Sequence, residues 1–432
     1  MKKIVGIAIL LVMTLVAAGC FFDKEESLGE LPYLPYAAMP DTEQNKSVGV
    51  DVYWDATCSM QGYTTIQQQN TYQRLPDNLE DIGISMGEIH FFRFGEEIQP
   101  LEGREHRQFM TPEYYTELIT PIHKVVEQAD GKHLSVVVSD LFESDADWSN
   151  VAKQIKSKYF ENHQSVAVIG VKNPFKGDIF DVGYSAGGKF FYDSGTDAAK
   201  YRPFYMLVMG PTDDVRSFVA KCKERIGTGA NVKYLLFSEE LVEKVPDLNT
   251  IDYSNSENIF MDSKLQVPDK RMVEFGVNDK SATVKLETAI NYKPFADVCQ
   301  IDTNSLQPVI KVSKLENGEW VEETDVSAIR TSLEEKTDSD NTFVYNMEFQ
   351  PNEVLNADSV TLLQTFIVPG RDGLHLPAWV QEWNMDNQAS FDAGQFDGSK
   401  TINLVSLMSS LKDSSTTIKY PSIANIFMVI KN

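Results

Sequence analysis

Hydrophobic and polar positions follow two different periods along the chain. From residue 47 to residue 240, short apolar runs alternate with stretches in which apolar residues recur every three or four positions. Alternating strands and helices predict an α/β domain with a doubly wound, mainly parallel sheet. From residue 270 to residue 432 the period is mostly two, which predicts a β-rich, sandwich-like domain. The polar residues 241–269 predict a linker between the two domains.

Several segments of the first domain predict individual elements. Residues 48–54 are a mostly apolar run typical of a buried strand, and residues 134–139 are a second run that ends at an aspartate. The pattern predicts a helix over residues 65–81, with a break or kink at Pro76 because proline lacks an amide hydrogen. Residues 112–128 are amphipathic and predict a further helix.

The first 19 residues have the pattern of an export signal. Lys2 and Lys3 precede an uncharged run over residues 4–18, which is short for a membrane span. Cys20 directly follows small residues, and this sequence resembles the bacterial lipobox, whose cysteine is acylated. The resemblance implies a signal peptide over residues 1–19 and an anchor at Cys20 on the extracytoplasmic face of the bacterial cell membrane. The polar, acidic, proline-containing remainder of residues 20–46 predicts a flexible tether.

The charge of the chain limits its partners. The formal net charge is −24, and removal of the leader with Lys2 and Lys3 changes this value to −26. A surface this acidic repels nucleic acid and anionic lipid. We therefore expect no nucleic-acid partner, and membrane contact through the lipid anchor alone.

Cysteines and histidines do not predict a structural or catalytic cluster. Cys58, Cys222 and Cys299 are widely spaced and odd in number, which does not indicate a disulfide framework, although a pair between Cys222 and Cys299 stays open. Asp51 lies inside the first predicted strand and needs a partner there, but we leave it out of any site. The histidines lie far apart in the sequence, so we expect surface or locally bonded roles for all six: His90, His106, His123, His133, His163 and His375.

The most informative motif directly follows the first predicted strand. Asp55 is followed by hydroxyl side chains at Thr57 and Ser59, and then by Met60 and Gly62. An aspartate with hydroxyls two and four residues later, on a loop that leaves a buried strand, brings three hard oxygen atoms around one point. The alternative is an ordinary turn whose hydroxyls cap the next helix. The methionine, the glycine and the preceding strand favour the metal site.

This motif, Asp-x-Thr-x-Ser-Met-x-Gly, resembles the metal-ion-dependent adhesion site of von Willebrand factor type A domains. In that family a second loop supplies a threonine before a helix, and a third supplies an aspartate after strand four. The resemblance implies Asp140 for the third loop. Thr111 and Thr116 compete for the second, and we favour Thr116 because the apolar residues after it follow the family spacing. Leu141 stands where the family commonly has glycine, and we assign the next residue, Phe142, to a ligand-facing rim.

The predicted ligands are side-chain oxygens of five residues: Asp55, Thr57, Ser59, Thr116 and Asp140. Hydroxyls with two carboxylates suit Mg²⁺, or else Mn²⁺ or Ca²⁺, rather than zinc. The resemblance implies a coordination position left open for the carboxylate of a protein or peptide partner. We therefore expect a metal-dependent binding lipoprotein. We do not expect an enzyme, because the sequence shows no nucleophile with a base and no nucleotide loop. A metal-dependent hydrolase and a metal-independent scaffold of the cell envelope are the alternatives.

Overall fold

A computed structural model gives the fold of most of the chain. It describes residues 47–66, 70–141, 148–180, 188–243, 251–261, 272–335, 341–355, 360–370, 372–386, 396–416 and 422–431. The predictions for the leader, for Cys20, for the tether and for Phe142 lie outside the described residues, as does much of the predicted linker. Of the helices within these ranges, none is both long enough and apolar enough to cross a lipid bilayer.

Nine of the described strands belong to the N-terminal part. They are β1 (Gly49–Asp55), β2 (Glu88–Phe94), β3 (Ile98–Leu101), β4 (Leu134–Ser139), β5 (Ser165–Asn173), β6 (Lys176–Phe180), β7 (Lys189–Asp193), β8 (Arg202–Gly210) and β9 (Val232–Phe237). Seven of them form one sheet in the order β3-β2-β1-β4-β8-β5-β9. Strands β6 and β7 pair with each other as a separate hairpin.

The sheet is only partly parallel. Strand β1 pairs in parallel with both β2 and β4, whereas the other four neighbouring pairs are antiparallel. The α/β fold expected from the sequence is therefore confirmed, but the expected mainly parallel sheet is corrected. The chain passes from β5 to β8 through the β6-β7 hairpin rather than through a described crossover helix, and strands connected in this way return antiparallel.

Besides several short 3₁₀ helices, four α-helices are described in the same part of the chain. They are α1 (Thr71–Met86), α2 (Ile122–Gln128), α3 (Trp148–Lys158) and α4 (Thr212–Ile226). Of the break or kink expected at Pro76, the break is wrong, because α1 continues through this residue to Met86. Leu75, Leu79 and Ile82 are buried on one face of α1. Their burial, about 1.5–3 kcal/mol for each side chain, offsets the cost of about 3 kcal/mol for proline in a helix.

The helices lie on opposite faces of the sheet. From β1 the chain passes through α1 to β2, and after β3 it returns through α2 to β4, which lies on the other side of β1. Right-handed crossovers then place α1 and α2 on opposite faces, and the contacts agree, because α1 packs on α4 whereas α2 packs on α3. Every residue of β1 is buried. The loops after β1 and β4 therefore meet at the carboxyl edge, where ligands bind in open α/β sheets.

The C-terminal part is rich in strands, as expected. Its described strands are β10 (Ile259–Met261), β11 (Met272–Val277), β12 (Val284–Asn291), β13 (Gln300–Ile301), β14 (Leu306–Glu316), β15 (Glu319–Glu323), β16 (Arg330–Glu335), β17 (Thr342–Phe349), β18 (Val360–Pro369), β19 (Leu374–His375), β20 (Asn384–Met385), β21 (Thr401–Ile402) and β22 (Ala424–Lys431). The short helices α5 (Pro351–Val354) and α6 (Ala378–Glu382) and the longer α7 (Leu404–Thr416) lie between them.

Two sheets of this part pack on each other. One has the order β10-β11-β22-β18-β14-β15 and the other the order β12-β17-β16. Buried and more exposed residues alternate along β12 and β17, as in a sheet with one face on the core. The hydroxyls of Tyr345 and Thr365 join the two sheets across that core at 2.9 Å.

The last described helix returns to the N-terminal sheet. Helix α7 packs on α3, and the hydroxyls of Tyr205 on β8 and Thr401 on β21 are 2.9 Å apart. Arg202, the first residue of β8, donates from Nη1 to the carbonyl oxygens of Gly398 at 3.2 Å and Lys400 at 3.3 Å. The domain boundary predicted at residues 241–269 stays a prediction. The contacts of α7 and of Arg202 connect the two parts of the chain.

Candidate metal centre

Asp55 is the centre of a buried hydrogen-bond network. It ends β1 and is fully buried. Its Oδ1 accepts hydrogen bonds from the Thr57 backbone amide at 2.9 Å and from the Thr57 hydroxyl at 2.7 Å. Its Oδ2 accepts a hydrogen bond from the Ser139 hydroxyl, at the end of β4, at 2.7 Å. Both carboxylate oxygens are therefore oriented by the loops that follow β1 and β4.

The hydroxyls of the motif lie together beside Asp55. A short 3₁₀ helix over Cys58–Tyr63 follows the strand, and this turn brings Ser59 Oγ to 3.0 Å from Thr57 Oγ1. The Cys58 thiol points elsewhere and donates to the carbonyl oxygen of Tyr115 at 3.5 Å. The local sequence thus predicts which motif side chains converge.

The second loop contributes a different threonine from the one expected. Thr120 is buried, and its hydroxyl donates to Thr57 Oγ1 at 3.3 Å. Thr116 is exposed and its hydroxyl accepts from Arg93 Nη2 at 2.7 Å. Thr111 is also exposed, and its hydroxyl donates to the Gln108 carbonyl at 2.8 Å. The structure therefore brings neither of the two predicted candidates to the cluster.

The reason for this difference is the position of a helix start. The sequence predicts one helix over residues 112–128, whereas α2 covers only Ile122–Gln128. The preceding segment instead pairs with the motif loop through Glu117, whose carbonyl accepts from Cys58 N at 2.9 Å. A threonine before a helix, the signal used for the second loop, then indicates Thr120. The dipeptide Thr120-Pro121 could have revealed this start, because proline disfavours helical backbone in the residue before it.

Asp140 lies near Asp55 and has a cationic neighbour. It directly follows β4 and is buried. Arg202 Nη2 donates to Asp140 Oδ2 at 3.4 Å. The next residue, Leu141, has a φ of 58°, in the left-handed region that glycine adopts without strain. The loop therefore has the backbone shape that glycine favours, although a buried leucine occupies the position.

Burial makes the Asp55 carboxyl group a weaker acid than usual. Desolvation, and after it the charge of Asp140, raises the pKa of Asp55 to about 7, against the hydrogen bonds from Thr57 and Ser139 that lower it. Two carboxylates that share a buried site repel each other in their charged forms. A divalent cation between them would remove this repulsion and lower the pKa of Asp55.

The donor atoms of this cluster fit a hard cation. Asp55 and Asp140 offer carboxylate oxygens, and hydrogen bonds connect the hydroxyls of Thr57, Ser59 and Thr120 to Asp55. Oxygen ligands of this type suit Mg²⁺, Mn²⁺ or Ca²⁺. Mg²⁺ commonly keeps several waters in protein sites. The protein oxygens therefore need to fill only some of its coordination positions.

Two exposed apolar side chains lie next to the cluster in the same loop. Leu118 is 76% exposed and Ile119 is 42% exposed, and both directly precede Thr120 in the sequence. The amphipathic helix predicted over residues 112–128 would include them, but the observed helix covers only Ile122–Gln128. Exposed apolar side chains that form a contiguous patch are a feature of surfaces that contact a partner.

Comparison with known proteins adds no relative. No protein-family model matches the chain, and a search of curated proteins gave no significant match. The resemblance to the type A domain therefore depends on the motif residues and on the geometry described above.

Proposed function

We propose that this protein is a lipid-anchored extracytoplasmic protein whose α/β part binds a protein or peptide ligand through a divalent cation, Mg²⁺ being the best fit. The observation that carries this proposal is the convergence of side-chain oxygens from three loops beside Asp55. The first loop supplies Thr57 and Ser59, the second Thr120, and the third Asp140. The proposal includes a structural relationship to type A domains, with a doubly wound topology.

The charges at the site support a cation that controls ligand binding. Two carboxylates, those of Asp55 and Asp140, lie with one guanidinium, that of Arg202, so the fully ionised group has a formal charge of −1. A divalent cation changes this value to +1 by the same count. The site then attracts a carboxylate where it would otherwise repel one. Arg202 also keeps Asp140 paired while no cation is bound.

The exposed apolar side chains beside the site favour a macromolecular ligand over a free small anion. Leu118 and Ile119 offer apolar contact area next to the cation position. A partner that inserts one acidic side chain could bury these residues at the same time, and buried apolar area contributes about 25 cal/mol per Å². Affinity would then come from apolar contact, and metal dependence from the acidic side chain.

A calorimetric titration with Mg²⁺ tests the cation site. The mature chain should bind Mg²⁺, and Asp55→Asn should abolish the heat, because the variant loses a charged ligand at the centre of the network. Thr120→Val should weaken binding by about tenfold, the effect of one lost interaction of about 1.4 kcal/mol. Thr116→Val is the matched control and should leave the affinity unchanged. No heat and no thermal stabilisation of the unmodified chain by Mg²⁺ would contradict the proposal.

Capture of partners from cell-envelope extract separates the proposed function from its alternatives. Recovery of a bound protein that disappears in EDTA and in the Asp55→Asn variant supports metal-dependent binding. Metal-dependent turnover of a substrate without a retained partner would support a hydrolase instead. Capture that is indifferent to EDTA and to the variant would support a scaffold. Replacement of Cys20 by serine should abolish acyl labelling of the protein in cells if the anchor is as proposed.

A further inference from the structure

A second group of metal-ligating side chains lies at the other end of the same strands. Asp51 on β1 lies in register with His90 on β2, and His133 directly precedes β4. One potential ligand atom from each of the three residues lies within 4.8 Å of the others. Asp51 needed a partner inside β1, and the histidines were expected to form no metal set. Two of them, His90 and His133, lie beside Asp51 instead.

We propose that Asp51, His90 and His133 bind a divalent transition-metal ion of the zinc class. This site is separate from the one that contains Asp55, because four residues along a strand correspond to about 13 Å. Its ligand set is also different, because two imidazoles with one carboxylate suit Zn²⁺, Co²⁺ or Ni²⁺, whereas oxygen ligands alone suit Mg²⁺. The proposal is therefore independent of the proposed function.

The distances between ligand atoms fit such an ion. Asp51 Oδ1 is 3.0 Å from His90 Nδ1, and Asp51 Oδ2 is 3.7 Å from His133 Nδ1. In a tetrahedral zinc site with bonds of about 2.0–2.1 Å, neighbouring ligand atoms are about 3.3–3.4 Å apart. The two distances, which involve different oxygens of Asp51, lie on either side of this value. Because one ligand atom from each residue lies within 4.8 Å of the others, side-chain rotations would bring three such atoms around one ion.

Burial makes the cluster more than a surface ion pair. The Asp51 side chain is 10% exposed and that of His133 is 17% exposed, whereas His90 is 47% exposed. A carboxylate this far inside a sheet costs free energy unless it has strong partners. Because the cluster is open to solvent on the His90 side, an ion has an entry route and a water has a place at a fourth coordination position.

Neighbouring groups hold the proposed ligands in place. Burial, and after it the charge of the nearby Asp51, raises the pKa of the Tyr53 hydroxyl. Asp130 Oδ1 accepts from the backbone amides of Lys132 at 2.8 Å and His133 at 3.1 Å, and its Oδ2 lies 3.3 Å from His133 Nδ1. Asp130 thus fixes the turn that carries His133. Partners that orient metal ligands in this way commonly change metal affinity by about 10- to 100-fold.

The test is a metal titration of the full mature chain. The protein is first treated with a chelator, and the chelator is then removed. Zn²⁺ should bind with one ion per chain at this cluster, and Co²⁺ at the same place should give visible absorption bands of a nitrogen-ligated site. His90→Ala and His133→Ala should each lower Zn²⁺ affinity by more than about tenfold, since loss of a ligand exceeds the loss of a supporting partner. Mg²⁺ affinity at the Asp55 site should stay unchanged in both variants.

His163→Ala is the matched control, because His163 Nδ1 also pairs with a carboxylate, that of Glu239, at 3.2 Å. This variant should bind Zn²⁺ as the unmodified chain does. The half-exposed His90 permits a second, milder variant, His90→Gln, should the alanine variants fail to fold. Unchanged Zn²⁺ affinity and unchanged Co²⁺ bands in a folded His90→Gln or His133→Ala variant would overturn the proposal, as would a chain that binds no Zn²⁺.

Discussion

Asp55 shows how a single residue joins stability to the proposed function. Its carboxylate lies at the end of a fully buried strand and accepts hydrogen bonds from Thr57 and Ser139. These bonds favour the charged form, but burial and the charge of Asp140 oppose it more strongly and raise the pKa to about 7. A buried carboxylate in this state is costly without a cation and well placed to bind one.

The first prediction concerns the pH dependence of the metal-free protein. The pKa of Asp55 is raised from 3.8 to about 7, so the native state keeps a proton that the unfolded chain releases at lower pH. The stability that this bound proton contributes is fully present below pH 3.8 and is lost as the pH rises through about 7. We expect the unmodified chain to lose stability relative to Asp55→Asn between those two values. Urea unfolding of both proteins in EDTA, at about pH 5 and about pH 8, measures the difference.

Mg²⁺ supplies the control for this measurement. It should restore stability to the unmodified chain above pH 7, because the cation replaces the proton, and it should have no such effect on Asp55→Asn. Parallel pH profiles for the two metal-free proteins would show that Asp55 does not titrate in this range.

At the scale of elements, the turn after β1 is held by close packing against a neighbouring segment. A Cβ atom added to Gly62 would lie 2.4 Å from the Phe175 ring. That ring is fully buried, packs edge-on against Tyr63 at 4.9 Å between centroids, and lies 5.5 Å from the Arg202 guanidinium. The position of the turn that carries Ser59 therefore depends on Gly62 and on the buried ring of Phe175.

The second prediction follows from this contact. Gly62→Ala should lower the free energy of unfolding by about 1–3 kcal/mol, the usual cost of overpacking, and should also weaken Mg²⁺ binding because the turn that carries Ser59 is displaced. Denaturant unfolding measures the first effect and calorimetry the second. In a double variant with Phe175→Leu, the smaller side chain should recover part of the loss. Additive costs of the two changes would mean that the ring does not cause the clash.

Elements also show how far the sequence could predict the candidate site. The strand β1 and the turn after it agree with the prediction, because a buried run and the motif that follows it are local signals. The start of α2 was misplaced by ten residues, from 112 to 122, because the segment before it pairs with the motif loop through Glu117. This pairing depends on residues about sixty positions apart, and periodicity alone does not report such contacts.

At the scale of the whole molecule, Arg202 links the candidate metal centre to the C-terminal part. Its guanidinium donates to Asp140 and to the backbone carbonyls of Gly398 and Lys400. Beyond this contact, α7 packs on α3. One buried cation therefore satisfies both a site carboxylate and the segment that leads into α7.

The third prediction tests this link. Arg202→Met removes the donor from two carbonyls, and an unsatisfied buried polar group costs about 1–3 kcal/mol. We expect amide hydrogen exchange over residues 396–416 to become faster, while the β12-β17 pair stays protected. Arg216→Met is the control, because Arg216 pairs with Glu240 at 2.7 Å and lies over the Phe295 ring at 3.6 Å. Equal exchange over residues 396–416 in the two variants would show that Arg202 does not hold this segment.

The sequence by itself determined the local features of this protein. It predicted the buried strand before Asp55, the turn that gathers Thr57 and Ser59, and the position of Asp140 at the end of a second buried strand. These features depend on residues close together in the chain, whose side-chain period and turn chemistry can be derived from their order.

The tertiary structure alone decided how distant segments meet. It placed β8 antiparallel between β4 and β5, brought Thr120 rather than Thr116 to the cluster, and aligned Asp51 with His90 and His133. Each of these outcomes depends on strand register and loop pairing between segments far apart in the chain. Apolar periodicity records which face of an element is buried, but not which other segment covers that face.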